Sequence, residues 1–128
     1  MEPHIQIECL QEAIYFESRS ESLVGQLAVG LVIMNRVRDK RWPNNTCGVV
    51  HQKWQFSYYW DGQPEIYKDG KAKQRAGLVS EMVFYGTQLD FTEGSVYYFA
   101  TRILPSWDFS KIERVATIDE HVFYRDIK

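Results

Sequence analysis

Glu12-Ala13-Ile14-Tyr15-Phe16-Glu17-Ser18-Arg19-Ser20-Glu21 places three carboxylates in ten residues, and only one falls where a carboxylate is costly. At helical spacing Leu10, Ala13, Ile14 and Glu17 share one face, the i, i+3, i+4, i+7 pattern of a buried stripe. Partial burial at Glu17 disfavours the charged form. The polar Ser18-Arg19-Ser20 cluster marks the helix end, and a carboxylate in a last turn is further disfavoured by the helix dipole. Both effects favour a protonated carboxyl near neutral pH, the state that a general acid needs. The same position also suits a solvated Glu, or one paired with Arg19 or Arg36, because structural networks perturb carboxylates too.

The 128 residues that surround this stretch match one domain spanning 1–128, long enough to build a core without staples. The formal net charge is −2, so no nucleic-acid partner is expected. The basic run Arg36-Val37-Arg38-Asp39-Lys40-Arg41 ends a predicted helix and reads as its dipole complement. Cys9 and Cys47 are open to either one bridge or two buried thiols. No His/Cys cluster has metal-ligand spacing, so neither a metal nor a cofactor is expected. The N-terminus lacks the basic and apolar regions of a signal peptide. No stretch approaches the roughly 18 apolar residues of a membrane span.

Along the chain, helices are predicted over 5–18, 23–39 and 70–88. Ser20 or Ser22 is the N-cap candidate for the second, and Asn45 or Thr46 caps a short helix through Val49, Val50 and Gln52. Val24, Leu27, Ala28, Leu31, Val32 and Asn35 form the inward face of the second helix; Ala72, Ala76, Val79, Val83 and Gly86 form that of the third. Gly25 and Gly30 cost helix propensity and point to close packing. Asn35 and Arg36 read as a structural pair at a helix end, bonding Glu17 or Glu21. Trp54-Gln55-Phe56-Ser57-Tyr58-Tyr59-Trp60-Asp61-Gly62 interleaves rings with amides and hydroxyls. That suits a sugar as well as it suits a loop pinned by its own rings. A strand is predicted over 95–100, then a hairpin of 114–118 and 121–125 linked by Asp119-Glu120. The expected class is α+β, helix-rich with a small antiparallel β element.

Taken together, these segments resemble the SleB-type cell wall hydrolases, named for spore-cortex-lytic enzymes and also common in bacteriophage lysis. Ala13-Ile-Tyr-Phe-Glu17-Ser-Arg19-Ser-Glu21 is similar to the family's Tyr-x-Glu-Ala-Arg-Gly-Glu signature. In order there follow Gly25-Gln26-Leu-Ala-Val, Val32-Ile-Met-Asn35-Arg36-Val, Pro43-Asn-Asn-Thr-Cys47-Gly-Val-Val, Gln55-Phe56-Ser57, Asp61-Gly62, Tyr98-Phe-Ala, Pro105-Ser-Trp107 and His121-Val-Phe-Tyr124. The resemblance implies a lysozyme-like fold and cleavage of the β-1,4 bond between N-acetylmuramic acid and N-acetylglucosamine. It makes Glu17 the catalytic acid, the residue that the stripe selects independently. Glu21 is expected to support the site through arginine or backbone groups. Departures are Ser18 and Ser20 for Ala and Gly, Trp60 for a frequent Cys, Phe99 for a frequent His, and Asp119-Glu120 for Gly-Asn.

The expected partner is the glycan strand of bacterial peptidoglycan, bound by a monomer away from any membrane. Gln55, Ser57, Tyr98 and His121 are the candidate groove residues; Asn35 and Arg36 are supporting ones. If the muramic 6-hydroxyl attacks, one carboxyl suffices, because proximity supplies a high effective concentration, and the enzyme is a lytic transglycosylase. If water attacks, a second carboxylate is required, with Asp61 the candidate of a hydrolytic muramidase. A non-catalytic wall-binding module and a protein-interaction domain are the readings from other classes. Without a signal peptide, either accumulation in the cytoplasm (the host's, for a phage endolysin) with action on the wall after release, or a domain cut from a secreted parent, is expected.

Overall fold

The computed structural model describes residues 1–52 and 67–128. Helix α1 spans Pro3–Ser18, two residues longer at its start than the periodicity predicts. Its proline sits in the first turn, where a missing N–H costs nothing. Helix α2, Leu23–Val37, begins at Ser22, whose hydroxyl accepts the Gly25 N–H at 3.2 Å. It ends two residues before the predicted limit, and the chain turns through Asp39 towards Trp42. Asn45 caps the short α3, Thr46–Val50, by accepting the Gly48 N–H at 2.7 Å. Asp69 caps α4, Gly70–Phe84. That helix stops short of residue 88 because Gly86 adopts φ +73°, a left-handed conformation that costs glycine little. Gly86 is therefore an exposed terminator and not a member of the stripe.

Three strands follow: β1 Tyr97–Ala100, β2 Ile112–Ile118 and β3 His121–Asp126, antiparallel in the order β1-β3-β2. The β2–β3 turn lacks the usual glycine, so Asp119 itself takes φ 49°, which Asp tolerates better than most residues. Its carboxylate then accepts from the backbone N–H and hydroxyl of Ser22, at 2.8 and 2.6 Å. The hairpin tip is thereby fastened to the start of α2.

Leu10, Ala13 and Ile14 of α1 pack with Val29 and Ile33 of α2 and Val79 and Val83 of α4. Gly30 allows this approach, since a Cβ there would meet Val83 Cγ2 at 3.0 Å and Ile14 Cδ1 at 3.1 Å. A second cluster of Ala28, Val32 and Phe123 joins α2 to the sheet, with Tyr98 packed against both clusters. Val24, expected on the buried face, is instead 49% exposed: it lies in the first turn, ahead of the part of α2 that meets the sheet. Cys9 and Cys47 form a disulfide between α1 and α3. Among the described residues no helix is long and apolar enough to cross a membrane.

Gly25 faces the hairpin tip. A Cβ there would overlap Asp119 Oδ2 and lie 3.0 Å from Glu21 Cβ. Gly25→Ala gains about 1 kcal/mol of helix propensity but incurs overpacking of about 1–3 kcal/mol and weakens two hydrogen bonds of Asp119, each worth about 1 kcal/mol. A net destabilisation of about 2 kcal/mol is expected in urea unfolding; a more stable variant would refute the close packing.

Candidate active site

Glu17 occupies the last turn of α1, where the stripe formed by Leu10, Ala13 and Ile14 runs out of core and meets the sheet. Across from it, Tyr98 on β1 donates its hydroxyl to Glu17 Oε1 at 2.8 Å. Burial pushes the Glu17 carboxyl above the ordinary carboxylate range, and the Tyr98 bond partly offsets that rise. An accepting Oε1 leaves the proton of the neutral acid on Oε2. Glu17 and Tyr98 open onto a groove of about 1100 Å³, which Phe16 and His121 also line.

Tyr98 is held by its strand. Its ring lies 5.0 Å from that of His121 and 5.7 Å from that of Phe123, both on the inward face of β3. His121 Nδ1 sits 3.1 Å from Glu21 Oε1, an ion-pair distance without hydrogen-bond alignment. Burial, reinforced by the charge of Arg102, keeps the imidazole below its ordinary pKa. Glu21 is raised by burial and by Asp119, while the Glu120 N–H donates to its carboxylate. Glu21 thus grips the hairpin by the Glu120 backbone N–H and lies against His121, and the hairpin carries the face on which Tyr98 rests.

Asn35 and Arg36 act on the same strand from the other side. Their described bonds do not run to Glu17 or Glu21, as the sequence suggested. Asn35 Nδ2 donates to Asp90 Oδ2 at 2.9 Å and to the Ser95 carbonyl at 3.0 Å, while Arg36 Nε donates to the Val96 carbonyl at 2.7 Å. The reason is geometric: α2 presents its C-terminal end to the segment that enters β1. The basic run is accordingly not one dipole complement. Arg36 is buried, and Arg41 binds Asp39 at 2.8 Å and Asp126 at 2.6 Å while its guanidinium lies over Trp42.

A family model for Cell Wall Hydrolase matches residues 20–124. The chain belongs to the cell wall hydrolase family. It is 31% identical over 118 residues to the spore cortex-lytic enzyme of Halalkalibacterium halodurans, covering 91% of this chain and 34% of that protein. To the spore cortex-lytic enzyme of Bacillus subtilis it is 30% identical over 120 residues, 91% of this chain and 36% of that protein. The chain therefore spans about a third of the length of these curated relatives. Its fold matches the catalytic domain of the Bacillus cereus SleB protein with a TM-score of 0.77 at 28% identity, covering 98% of this chain and 93% of that one. It also matches the catalytic domain of the germination-specific lytic transglycosylase SleB from Bacillus anthracis, with a TM-score of 0.74 at 31% identity over 94% of this chain and 93% of that one. The lysozyme-like α+β fold is that of these domains.

In this member of the family the fold brings Glu17, Tyr98, His121 and Glu21 to one groove. Gln55, Ser57 and Asp61 lie outside the described residues. Ser18, which replaces a small apolar residue, is buried and returns its hydroxyl to the Ile14 carbonyl at 2.7 Å. Phe99, the residue after Tyr98 on β1, packs in a cluster of rings with Trp107 and Tyr124 and also lines the groove. Tyr15 was not singled out by pattern. Its buried hydroxyl accepts from Arg19 and from the N–H groups of Lys68 and Asp69, which ties the chain before α4 to the helix that carries Glu17. The signal was available as a tyrosine inside an apolar stripe, which needs a partner for its hydroxyl.

Proposed function

We propose that this chain cleaves the β-1,4 bond between N-acetylmuramic acid and N-acetylglucosamine in peptidoglycan as a lytic transglycosylase, with Glu17 as its only proton-transferring carboxyl. The observation that carries the reading is a buried carboxyl at a groove, raised by burial and oriented by Tyr98. The likeness to the catalytic domain of the lytic transglycosylase SleB from Bacillus anthracis supports it.

The protonated Oε2 of Glu17 donates to the glycosidic oxygen as its bond to C1 breaks. Positive charge develops on the muramic ring, and the new carboxylate lies beside it. That carboxylate takes the proton of the 6-hydroxyl as its oxygen bonds to C1. The product is a 1,6-anhydro sugar, Glu17 is again protonated, and no water is consumed. Intramolecular attack supplies its own effective concentration, so a second carboxylate is not required. Tyr98 is a positioning residue here: it fixes one oxygen of Glu17 and leaves the other to the substrate.

Tyr98→Phe tests that assignment. Loss of a hydrogen bond to a charged group is worth about 1.5 kcal/mol, so the maximal rate on purified peptidoglycan should fall about tenfold. The bond also stabilises the carboxylate, so its loss raises the pKa of Glu17 further. Activity needs the proton, and the alkaline limb of the pH–rate profile should move to higher pH. An unchanged limb, or one that moves to lower pH, would contradict the role.

A further inference from the structure

The groove has two walls with different electrostatics. On the helix side Arg36 bonds the Val96 carbonyl and Arg41 bonds Asp39 and Asp126. On the sheet side Arg102, just after β1, and Lys111, just before β2, also line the groove; both are exposed, and among the described residues neither side chain makes a hydrogen bond or ion pair. The acids of that wall bond neutral groups and not these two cations. Asp108 accepts from the N–H and hydroxyl of Ser110, at 3.0 and 2.6 Å. Glu120 accepts the Thr101 hydroxyl at 3.1 Å. Two cations therefore face the groove outside any ion pair among the described residues, within reach of a ligand's carboxylates.

The same loop carries apolar surface. Ile103 is 50% exposed, Leu104 89% and Trp107 38%, and Ile103 and Trp107 line the groove beside Arg102. Sugar hydroxyls do not call for a wall that combines free cations with aliphatic side chains. A short peptide with methyl side chains and carboxylates does. In peptidoglycan such a peptide hangs from the lactyl group of the muramic residue, the sugar that the proposed function places at Glu17.

We infer that the wall formed by Arg102, Ile103, Trp107 and Lys111 is a subsite for the stem peptide of the muramic residue, with the two cations recognising its carboxylates. The inference rests on the peptidoglycan reading above and adds a specificity: the enzyme distinguishes peptide-bearing from peptide-free strands. Exposed charge pairs of this kind contribute up to about 1 kcal/mol and are screened by salt, so the effect is a preference and not an absolute requirement.

Binding separates this inference from catalysis. The Glu17→Gln variant, which leaves strands uncut, is titrated with soluble peptide-bearing glycan strands and with the same strands stripped by an amidase. The wild type is assayed for cleavage in parallel. Peptide-bearing strands should bind about fivefold more tightly. The preference should disappear at high salt and in the Arg102→Gln/Lys111→Gln double variant, and Arg102→Lys should retain most of it. Circular dichroism of each variant checks the fold. Stripping leaves the lactyl carboxylate on the sugar, so equal binding of both strands would assign the cations to that group and overturn the stem-peptide subsite. A preference that survives in the double variant would overturn it too. A preference found without any cleavage by the wild type would uphold the subsite and sink the glycosidase reading instead.

Discussion

Glu17→Gln is expected to lower the release of fragments from purified peptidoglycan about a thousandfold, the middle of the range for loss of a general acid. The amide is isosteric and still accepts the Tyr98 hydroxyl, so the groove should keep its shape. Stability should respond in the opposite sense from activity. Burial raises the Glu17 carboxyl, so the wild-type fold favours the proton. That contribution is complete below the unfolded pKa of Glu17 and is lost as pH rises through the folded one. The variant carries no charge to bury, and its stability relative to wild type should therefore increase as pH rises through that window. Thermal melts across pH measure this, and a variant that loses stability with rising pH relative to wild type would contradict the burial argument. Activity within a few fold of wild type would remove Glu17 from the chemistry.

Removing the disulfide should produce the largest change in stability with little change in the site. Cys9 and Cys47 are 38 residues apart in sequence and join α1 to α3. Closing a loop of that length restricts the unfolded chain by about 4 kcal/mol in the chain-entropy account. For a domain of this size that corresponds to about 15 °C in melting temperature. Cys9→Ser, or reduction of the wild type, should show that drop in calorimetry. Cys9 lies two helical turns before Glu17 on α1, and neither cysteine lines the groove. The rate per folded molecule at low temperature should therefore stay within about twofold, since distant sites act nearly independently. A rate that collapses on reduction while the protein remains folded would show that α3 positions the site.

Much of this architecture was legible in local pattern. The stripe of Leu10, Ala13 and Ile14 places Glu17, and the β-prone runs about Asp119-Glu120 give the hairpin, because periodicity reports directly which face is buried. The ends of α2 and α4 lie before the limits that periodicity gives, while α1 ends at Ser18 as expected. Residues 38–39 carry neither proline nor glycine, so the stop of α2 comes from the chain reversal towards Trp42, whereas α4 stops at Gly86, which the pattern places on the stripe. The partners of Asn35 and Arg36 were misassigned for a similar reason. Sequence shows that a buried Arg needs an acceptor, but Val96 is sixty residues away and only the fold brings its carbonyl within reach. Asp119 shows the converse. Its lack of a following glycine looked like a weak turn signal, yet its carboxylate is the feature that docks the hairpin on Ser22. Tyr98 and His121, expected to contact substrate, both line the groove but also contact groups within the protein: Tyr98 touches Glu17, and His121 sits between Tyr98 and Glu21.

The central claim is that one carboxyl performs both proton transfers and the substrate's own hydroxyl is the nucleophile. Mass spectrometry of the fragments that the wild type releases from purified peptidoglycan tests it most directly. The account predicts 1,6-anhydromuramic ends, lighter by one water than reducing ends. Reducing muramic ends would show that water is the nucleophile, would require a second carboxylate across the bond, and would contradict the one-acid mechanism.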